Sequence, residues 1–191
     1  MKTTMNNAKY WNPKPAYNPR MANKGKALEE LIKYQNKLYA VRKFANIQKI
    51  STPWKVIRNG KDIISAHPEE KSTLDFRGTV KGGISVSFDA KESEVEQGLP
   101  LKYIEPHQIE YMRFALELEE KTFILCYIKP LDRYFIISGW IVVGCWDEWQ
   151  QNKGKRGYNT IPTEAMKLIE RKPNGYVLDY LSTVFGGKNN A

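Results

Sequence analysis

Cysteine and histidine are both scarce in this chain: Cys126, Cys145, His67 and His107 are the whole supply. They form no cluster with zinc-ligand spacing, which excludes a structural zinc module. Both cysteines sit in apolar stretches, FILCYI and VVGCW, and are read as buried thiols rather than as a disulfide framework. No apolar run is long enough to span a bilayer. The N-terminus has no apolar segment of the secretory kind. The expectation is a cytoplasmic protein with no membrane attachment. Acidic residues are also in short supply, 21 against 30 basic ones in 191 residues, for a net charge of +9. That surplus points to an anionic partner, with nucleic acid ahead of a membrane surface. The length suits one domain with a real core.

What is present falls into ordered segments. Residues 1–22 are rich in Asn, Pro and Lys without apolar periodicity, and are read as a flexible basic arm. No acid precedes Glu29, and Tyr10, Trp11 and Tyr17 are interleaved with the basic residues, a mixture able to neutralise phosphates and stack on bases. Residues 26–44 carry helical spacing in Leu28, Leu31, Ile32, Leu38, Tyr39 and Val41. NIQKI (46–50) reads as a short strand, and the Asn59-Gly60 pair marks a tight turn in an extended segment. In ISVSFDAK (84–91), Ile84, Val86, Phe88 and Ala90 alternate with Ser85, Ser87, Asp89 and Lys91. This predicts a strand with the first set on the core and the second on an open face. STLDFRG, upstream, places Asp75 on the preceding strand of a hairpin. Residues 92–105 read as a polar loop and 106–120 as a helix with Pro106 in its first turn. TFILCYI (122–128) and YFIIS (134–138) are strands, and 139–150 fits strand or helix. Short helices are expected over 162–170 and near 176–184, and a disordered tail over 186–191. The predicted class is α/β, a mixed central sheet flanked by helices in one domain over 23–185.

Asp89 and Lys91 are two apart on one strand, so they share a face, and a paired strand brings Asp75 beside them. Two carboxylates suit a hard divalent ion, which polarises a phosphate and activates water, while a lysine stabilises the developing charge. This is the D…(D/E)xK pattern of restriction-endonuclease-like nucleases. Alone it is equally a solvated strand face with an ordinary ion pair. Trp140, Trp146 and Trp149 are read as core or dimer-interface residues rather than base-stacking platforms.

From about Asn23 to Val184 the segments resemble, in order, those of the RecU family of Holliday-junction resolvases. NKGKALEE resembles the family's NRG-x-x-LE, KISTP its KKPTP, STLDF its STTDY, and VSFDAKES its DFEAKET. LPLKYIEPHQIEYM resembles PLKNFHEHQIEHM, and CWDEWQ, GYNTIP and GYVLDYL resemble later segments. The resemblance implies a restriction-endonuclease-like fold and a Mg2+ site, which Mn2+ could also fill, at Thr73, Asp75, Asp89 and Gln108. It implies Lys91 as transition-state stabiliser and Glu29 at the edge of the catalytic site. It places Lys49 near the DNA, and Lys55, Arg58, Lys61, Lys71 and Arg77 are read as further DNA contacts, several of them on a short stalk over about 54–71. It further implies a homodimer acting on four-way junction DNA beside a RecA-like recombinase and the RuvAB branch-migration proteins. Two departures stand out. Ser87 replaces an acid two residues before the catalytic one, and the stalk is shorter than the family's by roughly a helical turn. They leave open a nuclease acting on other branched or single-stranded DNA, or a non-catalytic junction-binding protein.

Overall fold

The computed structural model describes residues 25–51, 54–68, 73–170 and 174–185. The basic arm and the C-terminal tail expected from the sequence lie outside these residues. Helix α1 (Lys26–Val41) buries Leu28, Ile32, Gln35, Asn36 and Tyr39, spaced three or four apart so that they share one stripe. Strand β1 (Ala45–Lys49) follows, then a separate two-stranded sheet of β2 (Trp54–Asn59) and β3 (Asp62–Pro68). Next come β4 (Phe76–Val80), β5 (Ile84–Ser93), β6 (Gly98–Pro100), α2 (Pro106–Glu117), β7 (Lys121–Ile128), β8 (Arg133–Ser138) and α3 (Gly139–Gln151). Strands β9 (Thr160–Pro162) and β10 (Lys167–Leu168) and helix α4 (Tyr180–Val184) complete the chain.

The main sheet has six strands in the order β1-β4-β5-β7-β8-β10. Strands β5 and β7 are parallel, joined by the crossover that holds α2, and the other neighbours are antiparallel. It is the mixed sheet flanked by helices that the segment order predicts. On one face Phe76, Phe88 and Phe123, from three adjacent strands, stack at centroid distances of 4.9 and 4.7 Å under Tyr39 of α1 and Tyr180 of α4. On the other face Ile124, Cys126 and Ile137 lie beneath Ile109 and Met112 of α2 and Val142 of α3.

That second core corrects the expected open face. The alternation in β5 holds, with Val86 and Phe88 in the first core, but Ser87 and Asp89 are 1% and 0% exposed. Helices α2 and α3, which follow later in the chain, cover the side that a strand pattern alone reads as solvated. The expected loop at 92–105 is also largely structured: β5 runs to Ser93, and Leu99, Leu101 and Ile104 are buried. The ambiguous 139–150 segment is helical. Its Gly139 allows the helix start to approach β7, since a Cβ there would stand 2.5 Å from Thr122 Cγ2. The helix expected over 162–170 is replaced by β9, one 3-10 turn and β10. Ile161 pairs with Leu99 and is fully buried, while Lys167 and Leu168 pair with the β8 edge. The final helix is shorter than expected because the Val177 and Leu178 N–H groups both donate to Gln35 Oε1, at 3.0 Å, instead of entering a helix.

The C-terminal segment is tied to α1 by buried polar bonds. Tyr39 OH donates to Asp179 Oδ1 (2.9 Å) and accepts from the Leu181 N–H (3.1 Å). Asp179 Oδ2 accepts from Asn174 (2.6 Å) and Ser182 (2.7 Å). Tyr39→Phe strands one acceptor and one donor, and is expected to cost about 1–3 kcal/mol in urea unfolding at unchanged slope. An unaltered midpoint would refute the tie.

The β2–β3 hairpin differs in character. Asn59 pairs with Asp62, so the turn falls on Gly60-Lys61, one residue beyond the sequence expectation. Gly60 has a φ of 59°, the left-handed region glycine enters at little cost. Side chains from Lys55 to Ala66 are all exposed, including Ile63 (59%) and Ile64 (64%).

Candidate active site

The register Phe76↔Phe88 sets Asp75, just before β4, across from Asp89 on β5. Because Phe76 and Phe88 point into the first core, Asp75 and Asp89 point to the other face, as do Ser87 and Lys91. Asp89 is fully buried, and neither carboxylate oxygen accepts a well-formed hydrogen bond. Lys91 Nζ lies 2.6 Å from Asp89 Oδ2 as an ion pair. Burial first, and then the charge of Asp89, push the Asp75 carboxyl up to about 7, against the pull of Lys91 and Lys49. Lys91 meets one of these oxygens; the other, buried beside a second carboxylate, is costly unless a further cation or a proton joins it. The donor set therefore fits a divalent ion. Among the described residues no three His, Cys, Asp or Glu side chains gather at one point. One or two carboxylates completed by neutral oxygens and water is the magnesium pattern rather than the zinc one.

The other expected residues fall variously. Thr73 is half-buried at a bend two residues before Asp75. Gln108 is buried at the start of α2, where its Oε1 accepts the Glu105 N–H at 3.1 Å and closes a capping box. Coordination through that oxygen would require it to leave the cap. Glu29 pairs with Lys49, and the Ile50 N–H donates to the Asp75 carbonyl at 2.7 Å. Together these contacts bring the start of α1 and the end of β1 to the carboxylates. Arg77 sits on β4 on the same face as Asp75, half-exposed. Lys55, Arg58 and Lys61 belong to the exposed hairpin and not to the six-stranded sheet. Lys71, like Tyr10, Trp11 and Tyr17, lies outside the described residues.

Sequence reasoning missed a polar group on the same face. Glu120, 9% exposed, accepts from Ser85 Oγ (3.2 Å) and from Tyr111 OH (3.2 Å), with Arg77 Nε at 3.8 Å. Nothing in the spacing of these residues marks them. The only hint is an acid directly ahead of an apolar strand.

The mixed sheet flanked by helices presents Asp75, Asp89 and Lys91 on one face, an arrangement chemically suited to a metal-assisted nuclease. The family model described as Recombination protein U matches residues 23–185, and the chain belongs to that family, RecU. It is 30% identical over 179 residues to the Holliday junction resolvase RecU of Oenococcus oeni, covering 90% of this chain and 89% of that one. It is 31% identical over 141 residues to the protein of that name from Limosilactobacillus reuteri (strain DSM 20016), covering 71% and 68%. Among solved structures, the Holliday junction resolvase Hjc of Archaeoglobus fulgidus aligns over 72% of this chain and 95% of its own, with a TM-score of 0.40 and 11% identity.

Proposed function

We propose that this chain resolves Holliday junctions by magnesium-dependent cleavage of paired phosphodiester bonds. The observation that carries the reading is the buried carboxylate of Asp89, without a well-formed hydrogen bond, set across from Asp75 on the face that also holds Lys91. Asp75 and Asp89 would hold the ion, with Thr73 and Gln108 as neutral neighbours. Bound Mg2+, or Mn2+ in its place, would polarise the scissile phosphate and lower the pKa of a water. Lys91 sits where it can neutralise charge developing on the phosphate, and burial strengthens that interaction. Glu29, paired with Lys49, would keep that lysine in place at the edge of the site. Lys49, Lys55, Arg58, Lys61 and Lys71 would track the DNA backbone.

Two cuts in opposed strands call for two sites, so the reading includes a homodimer. Phe114, Leu118 and Trp140 are 64, 65 and 69% exposed, an apolar set of the kind that marks an interface, whereas Trp146 and Trp149 pack on the second core. A RecA-like recombinase and RuvAB are the partners the family resemblance implies. Among the described residues no helix is long and apolar enough to cross a membrane, and a cytoplasmic location goes with the DNA substrate of this reading.

The test is cleavage of a four-way junction, a fork and a duplex at one fixed salt concentration, with and without magnesium. Paired nicks in the junction that depend on magnesium are expected. Equal cutting of the fork and the duplex would sink the junction reading, and no cutting with either metal would sink the nuclease. A second outcome concerns the hairpin. Replacing residues 55–66 by a short turn removes exposed side chains only, so the midpoint of thermal unfolding should hold within a few degrees. Preference for junction over duplex should fall about tenfold, equivalent to 1.4 kcal/mol of discrimination. Retained preference would show that the hairpin does not select the junction.

A further inference from the structure

The face that carries Asp75 and Asp89 is only partly covered. Helices α2 and α3 pack over β7 and β8, but Asn46 and Gln48 on β1 and Arg77 and Thr79 on β4 are exposed. Asn46 pairs with Thr79 and Gln48 with Arg77, so these four form a polar shelf two strands wide that runs from the carboxylates to the sheet edge. Arg77 follows Asp75 by two residues, about 7 Å along the same face. That step is comparable to the one between neighbouring phosphates on a strand.

Two contacts set the state of Arg77. Its Nε is 3.8 Å from Glu120 Oε1, and Glu120 is itself held by Ser85 and Tyr111. Its partner on β5 is the buried Ser87. Directly opposed side chains have Cβ atoms about 5 Å apart. Glu120 already offsets part of the guanidinium charge; an acid at 87 would set a second anion beside it, and a serine does not.

We propose that Arg77 clamps the phosphate next to the scissile one, with Glu120 fixing the guanidinium and Ser87 sparing its charge. The proposal rests on the nuclease reading for the word scissile, and extends it to a residue that positions the strand. The missing acid at 87 is then part of a charge arrangement: the chain gives up an anion beside the ion site and keeps a cation for the backbone.

The test measures junction affinity over a salt series in EDTA and single-turnover cleavage in magnesium. Arg77→Ala should weaken binding about tenfold and reduce the salt slope by about one phosphate contact. Arg77→Lys should restore the slope but not the cleavage rate, because an ammonium lacks the two-pronged geometry. Glu120→Gln should keep the slope and slow cleavage. Ser87→Asp should copy the slope loss of Arg77→Ala and add nothing to it in the double variant. Unchanged affinity and slope in Arg77→Ala overturns the clamp, as does a Ser87→Asp protein that cuts faster with its slope intact. Should Ser87→Asp fail to fold, the arginine variants decide alone. If Asp89→Asn abolishes cleavage while Arg77→Ala changes nothing, the clamp fails and the nuclease stands. If the wild type cuts no DNA but Arg77→Ala still loses slope, the nuclease reading fails and the backbone contact stands.

Discussion

Asp89→Asn is expected to lower the single-turnover rate of DNA cleavage by about a thousandfold, yet to leave the metal-free protein at least as stable as the wild type. The two halves of this expectation come from one geometry. Asp75, Asp89 and Lys91 carry one net negative charge in a site where Asp89 is fully buried and its oxygens lack hydrogen bonds. Replacing one carboxylate by an amide removes that excess and leaves Lys91 to pair with Asp75. The same change would remove a ligand of the proposed ion, so any stabilisation that magnesium gives to the folded state should vanish with activity. The pH dependence follows in sign. The Asp75 carboxyl is raised from an ordinary 3.8 to about 7, so the folded state holds a proton that the unfolded state releases. Its contribution is complete below about pH 4 and is lost as pH rises through about 7. Metal-free wild type should therefore weaken across that window, and Asp89→Asn should weaken less because the neighbouring charge is gone. Urea unfolding in EDTA at pH 5 and pH 8, with a junction cleavage assay beside it, checks both halves. A variant that is much less stable at pH 8, or that cuts at the wild-type rate, would show that the carboxylate pair has been misread.

The chemistry of this site was more legible in the sequence than its surroundings. Period-two alternation in 84–91 is a local property of the chain, and it put Asp89 and Lys91 on one face and Phe88 on the other. The hairpin register that sets Asp75 across from Asp89 was also local, since a glycine-containing turn joins the two strands. What covers the face was not local. Helices α2 and α3 follow β5 in the chain, and their apolar stripes say that they bury something without saying what. A polar residue in an alternating strand therefore reads as solvated, although burial is what gives Asp75 and Asp89 their electrostatic character.

The helix expected over 162–170 failed for a related reason. IPTEAMKLIE contains good helix formers, but Ile161 and Leu168 belong to strand pairs, and those partners outweigh intrinsic preference. In GWIVVGCWDEWQ the contest ran the other way. Its β-branched residues favour strand, and burial of Val142 and Val143 on the second core makes it a helix. Gln108 shows a third kind of limit. Its place at a helix start was readable, and with it the capping bond it makes, but a capping side chain and an ion ligand look alike in sequence.

Lys91→Ala should have the opposite effect on stability from Asp89→Asn while sharing the loss of cleavage. Lys91 Nζ, 2.6 Å from Asp89 Oδ2, is the cation in direct contact with the pair, and its side chain is only 18% exposed. Without it two carboxylates face each other with no such counter-charge. Breaking a buried pair by removing one partner typically costs about 3–5 kcal/mol, because the remaining charge stays buried. That loss should be largest in EDTA at pH 8. At pH 5 it should be small, since a proton on Asp75 does the work of the missing ammonium, and at pH 8 magnesium should recover part of it. Cleavage should fall by about a hundred- to a thousandfold, the usual effect of deleting one group that stabilises charge in the transition state. Lys91→Arg should keep the stability and regain only part of the rate, because the planar fork places its charge differently. The double variant Asp89→Asn/Lys91→Ala distinguishes a charge effect from simple loss of packing. Its unfolding free energy should lie above that of Lys91→Ala alone, since it carries one carboxylate at the site where Lys91→Ala carries two. If the double variant is less stable than either single one by the sum of their losses, the three residues do not form an electrostatic unit, and the ion site built on them would have to be abandoned.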